Sequence, residues 1–551
     1  MIKAPHLVAE QAAPAALPKG SPRPWWEGRP FVAAMILLAF IPLAYPAIPP
    51  LVDIGGHMGR YKVAVDLAGS PILQQWFSFR WLPIGNLGVD LLVVPLAKLI
   101  GVELATKLVV MSIPPLTVAG MLWVAREVHN RLPPTVAFAL PLAFGHPFMF
   151  GFVNFALSMA LALLAFGFWL RLGRLGKSKL RAILFVPISF IIFFAHTYGW
   201  GSLGLMCFSA EVVRQHDRGW SWWKAILRGA MHASVMALPL LLIVLWRTEA
   251  TGGLTHRWFD WDYKWEYLLR MFRDRWEAYD IASAAIVLAV PVFALIHPRL
   301  TLSRNLAFSG LILAATYVLL PRIVFGSAYA DMRLVPFAAA IFVLAVRFKA
   351  ETRFPLATWL AVAAVGFMLV RFAGTTTSMA MAWNRQVVQL KALDHIERGS
   401  RVAVLVWDRC ERWPLRRSDH LGAIATVRKE AYTNDHWPMA GSTLMTVRYP
   451  AAGWFQRDPS QIVRDPGCRH EGWSVRAALY NLPHDAFDYL WLIDMRPIPR
   501  EWVDGWQPVW AAKGSILLKK VPLSADGEVP PPNSHQTASA RGRSAHAPAR
   551  K

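Results

Sequence analysis

Residues 153–196 read VNFALSMALALLAFGFWLRLGRLGKSKLRAILFVPISFIIFFAH, and this stretch decides the fold class. Its two apolar runs, 153–171 and 181–196, are close to the roughly 17–20 residues that a helix needs to cross the hydrocarbon core. The segment RLGRLGKSKLR at 171–181 separates them and is rich in Arg and Lys, which is typical of a short cytoplasmic loop. The stretch therefore predicts two transmembrane helices joined on the cytoplasmic side.

The same pattern extends over most of the chain. Hydrophobic residues make up 55% of the 551 residues and charged residues 17%, against the roughly 25% charged residues of globular proteins. Apolar runs of spanning length predict an all-α polytopic transmembrane bundle of about eleven spans between residues 31 and 372. The predicted spans are 31–48, 104–125, 134–150, 153–171, 181–196, 198–213, 228–246, 281–297, 305–321, 334–347 and 355–372.

The distribution of basic residues predicts the sidedness of these spans. If the N-terminus is cytoplasmic, the even-numbered connections carry Arg and Lys clusters, while the short turns at 145–152 and 196–200 carry none. The apolar segment 86–101 is short and contains Asp90, so we interpret it as a helix lying along the outer interface. This leaves 46–103 as one long first external loop and places the C-terminal domain outside.

Both ends of the chain have the composition of disordered tails. Residues 1–30 form a predicted cytoplasmic tail, and 524–551 form a basic tail rich in Pro, Ser, Ala and Arg. The first apolar run is followed by Pro46 rather than by a small-residue cleavage site, which predicts an uncleaved first span. The net charge of +23 lies largely in loops between spans, so membrane lipid is the expected partner and nucleic acid is not.

Residues 373–523 have the composition of a soluble domain, which we expect to be external and, in a bacterium, periplasmic. The segment 383–399 predicts an amphipathic helix. Segments 401–408, 487–494 and 515–520 predict strands. The domain is therefore predicted to be a small α/β unit.

Two of the three cysteines lie in this predicted external domain. Oxidation persists outside the cytoplasm, so Cys410 and Cys468 are expected to be able to form one disulfide. Two buried free thiols are the alternative.

Polar and ionisable residues concentrate at the outer ends of the predicted spans, and the apolar middles are nearly free of charge. Ionisable groups inside membrane proteins are candidates for function because burying them is costly. This distribution favours a site at the outer face over a charged pathway through the bilayer. The residues are Asp53, His57, Arg60, His146, Asn154, His196, Tyr198, Arg322, Tyr329, Asp331 and Arg333.

The segment PPLVDIGGHMGRYKVAVD at 49–66 is the most informative of these. Asp53, His57 and Arg60 are spaced i, i+4 and i+7, so a helix would present them on one face. An Asp beside a His suits general base catalysis or half of a metal site, and the adjacent glycine pair would allow a ligand to approach the backbone. The alternative is an ordinary helix cap at Asp53. No further ligand pair has a recognisable spacing, so a divalent metal is left open and no other cofactor is indicated.

Arg322 and Arg333 are candidates for binding a phosphate, because Arg forms bidentate hydrogen bonds to phosphate oxygens. The alternative is that Arg333 pairs with Asp331 and that Arg322 meets lipid phosphates nonspecifically. His196 and Tyr198 flank an outward-facing helix break, where either packing or ligand contact would explain them.

The chain resembles the GT-C superfamily of multispan glycosyltransferases, which use polyprenyl-phosphate-linked sugars. The architecture of residues 31–372 carries the resemblance, with one Asp soon after the first span. Segments FGHPFMFGFVNFALSMALALL at 144–164, FFAHTYGWG at 193–201 and YADMRLVPF at 329–337 are similar to segments of bacterial members.

The resemblance implies roles for the outer polar residues. Asp53 matches the first-loop Asp that acts as catalytic base or metal-associated acid, and His57 would assist it. Many members carry a second acidic residue in the second external loop, where this chain has His146 and Asn154, and the departure weakens the case for a metal-dependent mechanism. His146 would otherwise cap a helix beside Pro147, and Asn154 is expected to be a helix N-cap. The implied substrate-binding residues are Arg60, His146, His196, Tyr198, Arg322, Tyr329, Asp331 and Arg333.

The expected function is transfer of a sugar from a polyprenyl phosphate to an envelope acceptor at the outer face of a bacterial inner membrane. A transporter or flippase is one alternative, which would predict polar residues at the midplane and an inverted repeat, and neither is found. A noncatalytic subunit in envelope assembly is the other. Its partner, at the C-terminal domain, cannot be named from the sequence.

Overall fold

The protein is a helical membrane-spanning bundle with a small C-terminal α/β domain, which confirms the predicted fold class. A computed structural model describes residues 24–245, 254–324, 326–349, 354–410, 412–437, 444–465, 468 and 472–521. Most of the predicted N-terminal tail and all of the predicted basic tail lie outside the described residues.

The helices are numbered in chain order. They are α1 Arg29–Leu38, α2 Ile41–Ala44, α3 Ile54–Asp66, α4 Pro71–Trp76, α5 Gly88–Ile100, α6 Val102–His129, α7 His146–Phe150, α8 Val153–Arg174, α9 Ser178–Ala195, α10 Thr197–Asp217, α11 Trp222–Ala233, α12 Leu240–Leu245, α13 Trp261–Leu269, α14 Glu277–Ile296, α15 Arg304–Leu319, α16 Val335–Leu344, α17 Phe354–Leu390, α18 Ile424–Lys429 and α19 Val475–Asn481.

In the part of the chain that the structure describes, five helical stretches are long and apolar enough to cross a membrane. They are α6, α8, α9, α14 and Pro355–His395, which includes most of α17. Shorter apolar helical segments lie at 29–44, 136–150, 304–319 and 332–344. Helix α10 packs against α8, α9 and α15 within the same bundle.

Three predicted spans are interrupted, and prolines account for the interruptions because they cannot donate a helical hydrogen bond. The first span breaks between α1 and α2, ahead of Pro42. The span predicted at 134–150 consists of short helical turns that begin beside Pro141 and Pro147. The span predicted at 228–246 is not one helix, because α11 ends at Ala233 and α12 begins only after Pro239.

Helix α17 differs from the prediction in length. It has 37 residues and continues well beyond residue 372, where we placed the end of the last span. The amphipathic helix predicted at 383–399 is therefore the end of α17, followed by a short 3-10 turn at Lys391–His395. This continuous helix connects the bundle directly to the C-terminal sheet.

The strands include the three that the sequence predicts. They are β1 Phe77–Phe79, β2 Leu300–Leu302, β3 Val346–Phe348, β4 Arg401–Asp408, β5 Tyr432–Thr433, β6 Met445–Val447, β7 Ile462–Arg464, β8 Tyr489–Ile493, β9 Trp506–Ala512 and β10 Ser515–Lys520. In the main sheet β4 pairs in parallel with β5, β7 and β8, while β10 pairs antiparallel with β8 and β9.

The long first loop is part of the C-terminal domain's packing. Strand β1 pairs antiparallel with β6, with Phe77 opposite Val447. Val63, Leu73 and Phe77 lie in one hydrophobic core with Phe487 and other residues of the C-terminal domain. Residues close to the first span are thereby held against residues nearly 400 positions later in the sequence.

The two ends of helix α6 have different neighbours. At its first turn, Glu103 forms an ion pair with Arg428 of the C-terminal domain, at 2.7 Å. At its last turn, Glu127 pairs with Arg171 and Arg174 of the basic loop. The C-terminal domain and the basic loop therefore lie at opposite ends of the bundle.

Candidate functional site

Asp53 lies directly before helix α3, between the bundle and the C-terminal domain. It occupies the N-cap position, yet its side chain makes no capping hydrogen bond. Its backbone N–H donates to the carbonyl oxygen of Phe150 at 3.0 Å. The residue is only 9% exposed. An ordinary cap therefore does not explain its carboxylate.

The neighbour of the Asp53 carboxylate is His420 of the C-terminal domain. Nε2 of His420 lies 3.8 Å from Oδ1 of Asp53 and 3.8 Å from Oδ1 of Asp458. Its Nδ1 lies 2.7 Å from the backbone oxygen of Asp435 and donates to it. This bond fixes the ring so that Nε2 faces two carboxylates.

The environment raises the pKa values of both groups. Burial raises the pKa of Asp53 to about 7, His420 opposes the rise, and Asp458 adds to it. For His420, burial lowers the pKa, but the surrounding carboxylates outweigh burial and the net shift is upward. A carboxylate such as Asp53, whose pKa lies near the working pH, is suited to proton transfer.

Glycines in the first turn of α3 allow this approach. A Cβ on Gly55 would overlap the backbone oxygen of His420. A Cβ on Gly56 would lie 2.6 Å from the ring of Trp437. The sequence predicts that a ligand approaches the backbone at this glycine pair. In the structure the C-terminal domain fills that space instead, with the backbone of His420 at Gly55 and the ring of Trp437 at Gly56.

The other two residues of the predicted helical face lie in different surroundings. The His57 ring packs 5.2 Å from the ring of Trp437, and burial together with Arg60 and His420 holds its pKa well below the usual value. Arg60 forms a buried ion pair with Asp90 of α5 at 2.8 Å. His57 is thus beside Asp53 and His420, whereas Arg60 ties α3 to α5.

A cavity of about 1010 Å³ lies between loops at one end of the bundle and the C-terminal domain. Val52 and Asp419, the neighbours of Asp53 and His420 in the chain, are part of its lining. Among the residues that the structure describes, eleven arginines line it, against four acidic residues. The arginines are Arg257, Arg270, Arg273, Arg275, Arg322, Arg385, Arg409, Arg412, Arg416, Arg417 and Arg464, and the acids are Glu266, Asp408, Asp419 and Asp494.

Several of these arginines have acidic partners, and several have none. Arg416 pairs with Asp408 and Asp419, and Arg417 pairs with Asp274. Within the described part of the chain, five lining arginines form no ion pair with an acidic residue. They are Arg273, Arg275, Arg322, Arg409 and Arg412.

Positive charge is crowded around Arg273. Burial, together with the nearby Arg270 and Arg416, lowers the pKa of Arg273 to about 10. Its guanidinium donates to the backbone oxygens of Arg412 and Trp413. A bound anion would relieve this repulsion.

One wall of the cavity follows the carboxyl ends of parallel strands. Asp408 ends β4, Arg464 ends β7 and Asp494 follows β8. Ligands of α/β sheets bind outside the carboxyl ends of their strands. The segment DRCERWPLRRSDH at 408–420, with four arginines after a predicted strand, is the signal that sequence reasoning missed.

Three of the predicted binding residues line the cavity, namely His146, Arg322 and Tyr329. Arg322 stacks 3.4 Å from the ring centroid of Tyr263 and donates to the hydroxyl of Tyr267. His146 is 3% exposed, and neither of its ring nitrogens has a hydrogen-bond partner among the described residues. His146 is therefore a buried polar group facing a cavity, not a cap.

The alternative prediction, an ion pair between Arg333 and Asp331, is wrong. Asp331 pairs with Lys264 at 3.0 Å and accepts from the backbone of Met332. Arg333 instead lies over the ring of Phe152 and 3.5 Å from Nε2 of His196. Arg333 also lies 5.3 Å from the ring of Tyr198, so these residues form a cluster behind the cavity rather than on its lining.

Asn154 is not the helix N-cap that we expected. Phe152 occupies that position at the start of α8. The Asn154 side chain accepts from the backbone of Val89 at 2.6 Å and donates to Asp90 at 3.0 Å. It therefore anchors α5 to α8 through hydrogen bonds that a sequence pattern cannot reveal.

The predicted disulfide between Cys410 and Cys468 is confirmed, with Cα atoms 5.8 Å apart. Cys410 lines the cavity, so the bond joins the arginine-rich segment to the region after β7. No group of three or more His, Cys, Asp or Glu side chains that could hold a metal ion lies in the parts of the chain that the structure describes.

Comparison with protein-family models gives no match, and comparison with curated proteins gives none. Among solved structures, the chain is similar to the crystal structure of ArnT from Cupriavidus metallidurans bound to undecaprenyl phosphate, a GT-C glycosyltransferase. The match has a TM-score of 0.38 and 12% identity, and it covers 73% of this chain and 88% of that chain. A similarity at this score carries no argument about activity or ligand, and the helices and sheet by themselves establish a multispan membrane protein with a C-terminal α/β domain.

Proposed function

We propose that the protein is a membrane glycosyltransferase that moves a sugar from a polyprenyl-phosphate donor to an envelope acceptor. It would act at the outer face of a bacterial inner membrane, with the N-terminus cytoplasmic and the C-terminal domain periplasmic. The observation that carries the proposal is the arginine-rich cavity beside Asp53, at the outer end of a membrane-spanning bundle.

The proposed reaction assigns a task to each part of the site. The Asp53 carboxylate takes the proton of the acceptor hydroxyl, and the acceptor oxygen attacks the anomeric carbon. The bond between that carbon and the phosphate oxygen breaks, and the polyprenyl phosphate leaves with the electron pair. Arginines such as Arg322 stabilise the phosphate that gains charge.

The lining of the cavity also suits a sugar. Aromatic rings of Tyr263, Tyr267, Tyr329 and Trp407 lie among the arginines. Flat rings with a few polar groups between them are typical of sites that orient a small ligand. No nucleotide-binding glycine loop is needed, because the sugar arrives on a lipid.

Helix α13 gives a lipid-linked donor a route to the cavity. Tyr263 and Tyr267 line the cavity, while Trp261, Trp265 and Leu269 on the helix are about half to two-thirds exposed, at 51%, 66% and 48%. Exposed Trp side chains favour the membrane–water interface. A helix at that interface would let the polyprenyl chain stay in the bilayer while its phosphate enters the cavity.

Replacing Asp53 tests the proposed chemistry. Asp53→Asn preserves the size of the side chain but removes the base, so transfer should fall about a hundredfold or more. The measurement is lipid-linked sugar and envelope glycan in a deletion strain complemented with each variant, together with membrane abundance of the protein.

Asp66→Asn is the matched control, because Asp66 ends the same helix and is paired with Lys62 on its surface. It should leave both glycan and abundance unchanged. An Asp53→Asn protein that is abundant and fully active would remove Asp53 from the mechanism.

A further inference from the structure

The charge of the cavity exceeds what the proposed donor needs. A sugar linked through one polyprenyl phosphate carries one negative charge, and the departing phosphate carries about two near neutral pH. Five lining arginines lack an acidic partner in the described chain, and they lie on two different walls. Uncompensated charges of one sign repel each other, so an excess of this size calls for a second anionic ligand group.

The two walls come from different parts of the chain. Arg322 belongs to the bundle side, where it contacts the rings of Tyr263 and Tyr267 on the helix with the exposed tryptophans. Arg409 and Arg412 belong to the C-terminal domain and follow strand β4. Arg409 lies over the ring of Trp407 at 4.7 Å, and both arginines are exposed to the cavity.

We propose that the wall formed by Arg409 and Arg412 binds a phosphate group of the acceptor, so that the acceptor of this transferase is itself phosphorylated. The proposal rests on the proposed function and adds the chemical class of the acceptor. The bundle wall with Arg322 takes the donor phosphate, and the C-terminal wall takes the second phosphate from the periplasmic side.

The position of the second wall supports this assignment. The carboxyl edge of β4, β7 and β8 is where an open sheet places ligand groups. The disulfide between Cys410 and Cys468 connects the arginine segment to the chain after β7. His146, a buried histidine without a hydrogen-bond partner among the described residues, faces the same cavity and can donate to a phosphate or sugar oxygen.

The test measures binding of two probes to the purified full chain in phosphate-free buffer. Farnesyl phosphate represents the donor phosphate, and glucose 1-phosphate represents a phosphorylated acceptor. Both should bind together, so saturating farnesyl phosphate should leave glucose 1-phosphate binding intact.

Loss of charge-assisted hydrogen bonds weakens binding by about tenfold or more for each arginine. Arg409→Gln with Arg412→Gln should therefore weaken glucose 1-phosphate binding by about a hundredfold and leave farnesyl phosphate binding unchanged. Arg322→Gln should weaken farnesyl phosphate binding by about tenfold and leave glucose 1-phosphate binding unchanged.

Two further variants keep the test decisive. Arg500→Gln removes an exposed charge outside the cavity and should change neither affinity. Arg409→Lys with Arg412→Lys retains the charge and should retain most of the glucose 1-phosphate affinity, which separates charge from folding.

Three results would overturn the proposal. The first is glucose 1-phosphate binding that is unaffected by the glutamine pair. The second is competition between the two probes for one site. The third is a glutamine pair that weakens farnesyl phosphate binding and leaves glucose 1-phosphate binding unchanged, which would assign the wall with Arg409 and Arg412 to the donor. None of these measures turnover, so failure of Asp53 as the base would be recognised separately.

Discussion

At the scale of single residues, burial raises the pKa of Asp53, and one histidine from a distant part of the chain opposes that rise. His420 lies 3.8 Å from both Asp53 and Asp458, and its other nitrogen is held by a backbone oxygen. A positive charge so close favours the ionised carboxylate, against the effect of burial. We infer that His420 is a positioning residue that keeps Asp53 available as a base near neutral pH.

This role predicts a pH dependence. The pKa of Asp53 is about 7, and only its ionised form can accept a proton, so activity should rise with pH through about 7. His420→Gln removes the charge that lowers this pKa. The midpoint of the rising limb should then move to higher pH by about one unit or more, as measured by kcat/KM against pH.

His436→Gln is the comparison for this prediction. Burial lowers the pKa of His436 to about 3, so it is uncharged at the pH of the assay and its loss should not move the midpoint. The remaining charged neighbours, Asp419, Asp458 and Arg333, are present in both variants. An unmoved midpoint in His420→Gln would leave His420 with a packing role only.

At the scale of secondary structure, helix α3 is shaped to receive the C-terminal domain. Its glycines at 55, 56 and 59 face His420, Trp437 and His436, and a Cβ at any of them would overlap these residues. Glycine weakens a helix by about 1 kcal/mol relative to alanine. Close contact with the domain offsets that cost, so the glycines are needed for docking rather than for the helix.

The glycine contacts predict an asymmetric response to alanine. Gly55→Ala should destabilise the protein by about 1–3 kcal/mol, because the backbone oxygen of His420 cannot move aside as a side chain could. It should also lower activity, since the same loop holds His420.

Gly69→Ala is the control, because a Cβ there meets nothing within 4 Å, and it should change neither property. Thermal unfolding with an activity assay measures both. Equal effects at the two positions would contradict the docking role.

At the scale of the whole molecule, the two ends of the bundle have different chemistry. The basic loop around residues 171–181 lies at one end of α6, and the C-terminal domain lies at the other. The positive-inside rule then predicts that the loop is cytoplasmic and the domain external.

Reporter fusions test this topology. A fusion at residue 176 should report a cytoplasmic location and one at residue 450 an external location. A truncated chain ending at residue 130 provides a reference, because α6 should end on the cytoplasmic side. An external signal at residue 176 would reverse the topology and would make the segment 86–101 a true span.

The sequence by itself determined the fold class, and it predicted the region in which the candidate site lies. The length of the apolar runs and the basic loops between them are local properties, so they predicted the spans. Runs of strand-forming residues likewise predicted β4, β8 and β10. Asp53, Arg322, Tyr329 and His146 became candidates because they lie at the ends of predicted spans, where burying a polar or charged group in a membrane protein is costly.

Only the tertiary structure decided which residues share the site. Spacing in a helix placed Asp53, His57 and Arg60 together, yet Arg60 binds Asp90 and the partner of Asp53 is His420. Contacts across nearly 400 residues depend on how β1 and β6 pair and how the domain docks on the glycines of α3. No local pattern encodes such pairings, because they result from packing between elements that are distant in sequence.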